Sequence, residues 1–145
     1  MPELTVLSGR EASIFACLTD TVVAPDPVLP PVRETDAVRF LDEWLALMPR
    51  PNRAGMRALL FASEFSPILA GFRHRLRRLD RAQRAEWLRG LERAPQMQVR
   101  LLTKLVVSAA QLAYYGNDAV QLRLGYDAEA NVERGRRLRA AEGRP

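Results

Sequence analysis

The stretch Leu101-Leu102-Thr103-Lys104-Leu105-Val106-Val107-Ser108-Ala109-Ala110-Gln111-Leu112-Ala113-Tyr114-Tyr115 decides how this chain is built. Its apolar residues recur at nearly every helical angle. A helix apolar all round is one buried all round. The reading is therefore an all-α fold around a long central helix from about Gln96 to Tyr115. Pro95 opens that helix, and Gly116 closes it as a left-handed cap does. Ser108 and Gln111 interrupt the apolar run, which is too short to cross a bilayer of about 30 Å.

Working outward, the remaining segments read as helices packed about this one. Ser8-Gly9-Arg10-Glu11 has the spacing of a capping box and starts a helix to about Ala24. Its stripe is Ile14, Phe15, Leu18 and Val22, at intervals of three and four. Pro25-Asp26-Pro27-Val28-Leu29-Pro30-Pro31 has four prolines in seven residues. It cannot be helix or central strand and is read as an extended connector. A second helix starts at Asp36 and ends before Pro49 and Pro51, and a third covers about Asn52 to Glu64. Ser66-Pro67 has the form of a cap followed by proline at the first helical position, which predicts a fourth helix through Leu79. Asp80-Arg81-Ala82-Gln83 repeats the capping-box spacing and opens a fifth, to about Arg93. Asn117-Asp118 caps a short helix through Leu124. The expected architecture is a single domain over 1–126, with six main helices and a short seventh. A basic tail over 127–145, carrying Arg134, Arg136, Arg137, Arg139 and Arg144, is expected to be mobile or ordered by a partner.

Composition narrows the function classes. The chain has 145 residues, 48 % of them hydrophobic and 27 % charged, which suits an ordinary folded domain rather than a disordered one. It holds one cysteine, Cys17, and one histidine, His74. A disulfide framework, a Cys/His zinc cluster and a CxxCH haem site are excluded on that count. The glycines are scattered, with no phosphate-binding loop and no GxSxG elbow. His74 lies among arginines in Arg73-His74-Arg75-Leu76-Arg77-Arg78, and nothing in the sequence pairs it with a nucleophile. The chain by itself reads as non-catalytic; an enzyme using Cys17 is a further reading. The start, Met1-Pro2-Glu3-Leu4, shows no basic region, apolar leader or twin arginine, which predicts a cytoplasmic protein. The formal charge is +5, and every basic residue but Lys104 is arginine, a bias that suits ion pairs and interfaces. An alternative is an independent basic helical protein that binds nucleic acid through Arg73–Arg93. That segment lacks interleaved aromatics for base stacking, apart from Trp87.

Tyr114-Tyr115-Gly116-Asn117-Asp118, closing with Leu124-Gly125-Tyr126, crowds three tyrosines at one end of the long helix. Two readings stand: rings that close the core, or amphipathic anchors for a partner. The turn resembles that of the gluconate 2-dehydrogenase subunit 3 family, where a Tyr-Tyr-Gly-(Asp/Asn) turn is followed by a short helix and Leu-Gly-Tyr. Leu7-Ser8-Gly9-Arg10-Glu11 through Thr19-Asp20-Thr21-Val22-Val23 and Ala37-Val38-Arg39-Phe40-Leu41-Asp42 are similar to that family as well. The resemblance covers about residues 4–126. It departs at the missing twin arginine and at Asn117-Asp118, where many members have Asp-Pro. It implies an accessory small subunit that binds and stabilises a large flavin-dependent oxidoreductase of the glucose-methanol-choline type. FAD would then sit in the large subunit and no cofactor or metal in this chain. The implied interface is Tyr114, Tyr115, Gly116, Asn117 and Tyr126, flanked by the Pro25–Pro31 connector and the arginine tail.

Overall fold

The computed structural model describes residues 4–141. Arg144 and the Met1–Glu3 start lie outside them. Among the described residues the chain is all-helical, with seven α-helices and no strand. They are α1 (Gly9–Val23), α2 (Ala37–Leu47), α3 (Arg50–Leu69), α4 (Arg81–Glu92), α5 (Met97–Tyr115), α6 (Asp118–Arg123) and α7 (Ala128–Ala141). Single 3₁₀ turns lie at Val32–Glu34 and Leu76–Arg78.

Both capping boxes form. The Ser8 hydroxyl accepts from the Glu11 amide while Glu11 accepts from the Ser8 amide, and Asp80 and Gln83 do the same at α4. Each arrangement satisfies two of the amides that every helix start leaves orphaned. Asn117 caps α6 by accepting from the Ala119 amide at 3.1 Å.

The helix expected to begin at Ser66-Pro67 does not exist. α3 instead runs unbroken from Arg50 to Leu69, and Pro67 lies within its last turn. Pro67 has no amide to offer the Ser63 carbonyl, but the Ser66 hydroxyl donates to that carbonyl at 3.3 Å. The helix then stops by a Schellman closure. Gly71 takes a left-handed φ of 90°, its amide bonds to the Ile68 carbonyl, and the Phe72 amide bonds back to Pro67. The signal lay in Gly71, which lets the chain turn where a residue with a Cβ is strained.

α5 packs against α1, α2, α4 and α6 and is the central helix, as expected. α1 brings Ile14, Phe15 and Leu18 to the core, while the buried face of α5 is lined by Ala109, Ala110 and Ala113. Large side chains on one helix and small ones on the other let the pair approach closely. Leu41, Leu45, Leu60, Trp87 and Val120 complete the same cluster. The expectation that α5 is buried on every side is wrong. Leu101, Leu105 and Leu112 are exposed, because the other helices cover only one of its faces.

Two buried carboxylates tie distant segments to this core. Asp42 on α2 accepts from the amides of Thr5, Val6 and Leu7 and from the Thr5 hydroxyl, at 2.7–2.9 Å. Glu11, fully buried, takes Arg57 of α3 at 2.6 Å.

Candidate partner interface

The tyrosine-rich turn divides between core and surface. Tyr114 is fully buried, and its hydroxyl donates to the Pro30 carbonyl at 2.7 Å. Burial, with Tyr115 and Asp26 nearby, holds that phenol above its ordinary value, so it stays a neutral donor. Tyr114 therefore serves the fold. It pins the Pro25–Pro31 connector, which Arg81 also holds by donating to the Pro25 carbonyl at 3.3 Å. Of the two readings left open by the sequence, core closure applies to Tyr114, which has no surface to offer a partner.

Tyr115 and Tyr126 differ. Tyr115 stands edge-on to Tyr114, with ring centroids 5.2 Å apart, and is 39 % exposed. Tyr126 is 52 % exposed. Its backbone amide closes α6 on the Gln121 carbonyl, and Gly125 at φ 72° makes the turn that presents its side chain. Gly116 is not the left-handed cap expected: its φ is −75°. Glycine is needed there because a Cβ would stand 2.7 Å from the Leu112 carbonyl oxygen. Asn117 is half-buried and engaged as a cap, so its oxygen is committed to α6.

The larger feature was hidden in the sequence by its own periodicity. α5 has two apolar faces on opposite sides. One holds Val106, Ala109, Ala110, Ala113 and Tyr114 and is buried. The other holds Met97, Leu101, Leu105, Leu112 and Tyr115, all exposed, with Ser108 among them. At 3.6 residues per turn these six positions fall within roughly 80° of the helix circumference. Leu101 and Leu112 are 56 % and 58 % exposed, so the face is open to solvent. A count of apolar residues merges the two faces; only the angle of each residue separates them.

Other groups that carry chemistry elsewhere are tied up here. The Cys17 thiol, half-buried on α1, accepts from Arg84 at 3.1 Å, and Arg84 also pairs with Asp20 at 3.0 Å. Burial pushes the thiol up despite that guanidinium, which makes Cys17 a poor nucleophile. His74 is exposed in the loop after α3 rather than on a helix. Glu64, fully buried, draws in Arg75 at 3.4 Å and Arg77 at 3.0 Å. An apolar hollow between α3, α4 and α5 is lined by Leu59, Trp87, Leu88, Leu91 and Leu102. Its Ser63, Ser66 and Thr103 hydroxyls already donate to carbonyls of their own helices. Among the described residues no group of three or more His, Cys, Asp or Glu is placed to hold a metal ion. No helix among them is long and apolar enough to cross a membrane. Compared with family models, curated proteins and solved structures, the chain finds no match.

Proposed function

We propose that the chain is a non-catalytic accessory subunit that binds and stabilises the large subunit of a flavin-dependent alcohol or sugar oxidoreductase. The flavin, bound as FAD, and the acid–base chemistry belong to that large subunit. The proposed compartment is the cytoplasm. One observation carries the docking role: the second apolar face of α5, which is open to solvent and leads to Tyr115. Contiguous exposed apolar surface marks interaction sites. Exposed tyrosines suit anchoring, because a ring buries large area at low entropic cost. The kind of partner rests on the Tyr-Tyr-Gly-Asn turn and its resemblance.

Nucleic-acid binding through Arg73–Arg93 draws less support. Arg75 and Arg77 are committed to Glu64, and Arg84 to Asp20 and Cys17. Purification of the tagged chain from its own cells, followed by a flavin absorbance spectrum, tests the main reading. A flavoprotein should co-purify in fixed ratio. Tyr115→Ala and Tyr126→Ala should each weaken that association by about 2 kcal/mol while leaving helicity unchanged. A chain that elutes alone, or with nucleic acid and no flavin, overturns the reading.

A further inference from the structure

We infer that the solvent face of α5 is a helix-docking seam, and that its occupant is an amphipathic helix of another protein whose flanks are acidic. The inference rests on the reading of this chain as a docking subunit, and it adds what the partner presents. Leu101, Leu105, Ser108, Leu112 and Tyr115 follow one another at intervals of four, three, four and three. That alternation is the spacing by which one helix keeps a single seam against another. With Met97, the seam runs about 27 Å at 1.5 Å per residue. Ser108, Gln111, Leu112 and Tyr115 line a surface hollow on this face. Residues at i, i+3, i+4 and i+7 are the four that form the hole for a knob from a facing helix. Ser108, the smallest of the four, stands at one corner of that hole. A lipid surface rewards unbroken large apolar side chains; a hole between them suits an incoming side chain.

Charge chooses the occupant. α5 has no carboxylate between Met97 and Tyr115, and its charges are Arg100 and Lys104. Arg100 folds back onto the Ala94 and Pro95 carbonyls. Lys104 flanks the seam, exposed, and is in no ion pair among the described residues. A second copy would offer α5 again, which brings no counter-charge. It could instead offer α7, whose Arg134, Arg136, Arg137 and Arg139 outnumber Glu129 and Glu133. Both leave Lys104 unmatched or repelled. Glutamates beside the apolar stripe of a foreign helix complement it, as flanking charges do in paired helices.

The test uses the full chain and two labelled helical peptides of about 20 residues, long enough to cover the seam. Both carry leucines at alternating three- and four-residue intervals. One has glutamates on its flanks, and the other has lysines at the same places. Fluorescence anisotropy should show binding of the glutamate peptide and at least about tenfold weaker binding of the lysine peptide. Lys104→Glu should reverse the order. Leu101→Ser with Leu112→Ser should lose about tenfold or more without change in helicity, since both side chains are exposed. Equal binding of the two peptides, or binding of neither, overturns the inference. So does dimerisation seen in sedimentation and abolished by the two serines, which would assign the face to a second copy. So does binding to phosphatidylserine vesicles abolished by the same pair, which would assign it to a membrane. A chain that co-purifies with a flavoprotein yet binds neither peptide keeps the subunit reading and loses this one. A chain that binds the glutamate peptide and elutes without flavin does the reverse.

Discussion

Asp42 holds the start of the chain with a single carboxylate. Burial pushes its pKa up, but bonds from the Leu7, Thr5 and Val6 amides and the Thr5 hydroxyl outweigh that and hold it below the ordinary 3.8. Glu11 behaves alike: burial opposes, and the bonds from Arg57 and Ser8 keep it below 4.5. Because both folded values are depressed, the unfolded chain takes up protons first as pH falls. The stability these groups contribute is present above their ordinary values and is lost as pH drops through the folded ones. Urea midpoints should stay flat from neutrality to about pH 5 and fall below it. Asp42→Asn turns at least one acceptor contact into a donor–donor contact, because one carboxylate oxygen becomes an NH₂ group and only the Thr5 hydroxyl can turn to accept from it. It should cost about 2–3 kcal/mol at pH 7 and make the acid decline shallower. A variant as stable as wild type means the clamp on Thr5–Leu7 contributes nothing. Tyr114→Phe is the milder case: it leaves the Pro30 carbonyl without its 2.7 Å donor and should cost about 1 kcal/mol in the same titration.

Local rules read most helix ends correctly and failed at two, for physical reasons. The capping boxes at Ser8 and Asp80 were legible because their bonds involve residues three apart and nothing else. Ser66-Pro67 has the same outward form as a helix start, yet there the Ser66 hydroxyl serves the previous turn and Gly71 ends the helix. The competing signal was five residues downstream. Gly116 was legible as a required glycine, but for the wrong reason, since only the neighbouring turn shows how close the Leu112 carbonyl comes. Gly116→Ala should cost about 1–3 kcal/mol in urea unfolding, as overpacking does. Gly71→Ala, in open space at φ 90°, should cost about 1 kcal/mol from backbone strain alone. Equal costs at the two sites would mean that the approach to Leu112 is relieved by a small shift. The buried carboxylates were not legible. Asp42 and Glu64 look like surface charges until the folded chain brings their partners in, the Asp42 ones from more than 30 residues away.

At the scale of the molecule, two helical surfaces stand out from the shared core. One is the outer face of α5; the other is α7, which follows the Tyr126 turn. The sequence marked 127–145 as a separate basic tail from its shift in composition. Over 128–141 the structure makes it a helix, with Val132 and Leu138 exposed and an Arg137–Glu133 pair along its surface. None of its described side chains is buried. Helices shorter than about 12–15 residues are marginal in water unless a face is packed. α7, at 14 residues, has no packed face among its described side chains. A chain ending at Asp127 should keep its urea midpoint within about 0.5 kcal/mol of the full chain, because no described side chain of the deleted segment is buried. In the full chain, amides of 128–141 should exchange with solvent far faster than those of α1 and α5, which lie in the core. If the accessory-subunit reading holds, that difference should shrink when the large subunit is added, since a partner supplies the missing packed face. A loss of more than about 1 kcal/mol on truncation would instead mean that α7 packs on the body in solution, and then its arginines would not be free to flank an interface.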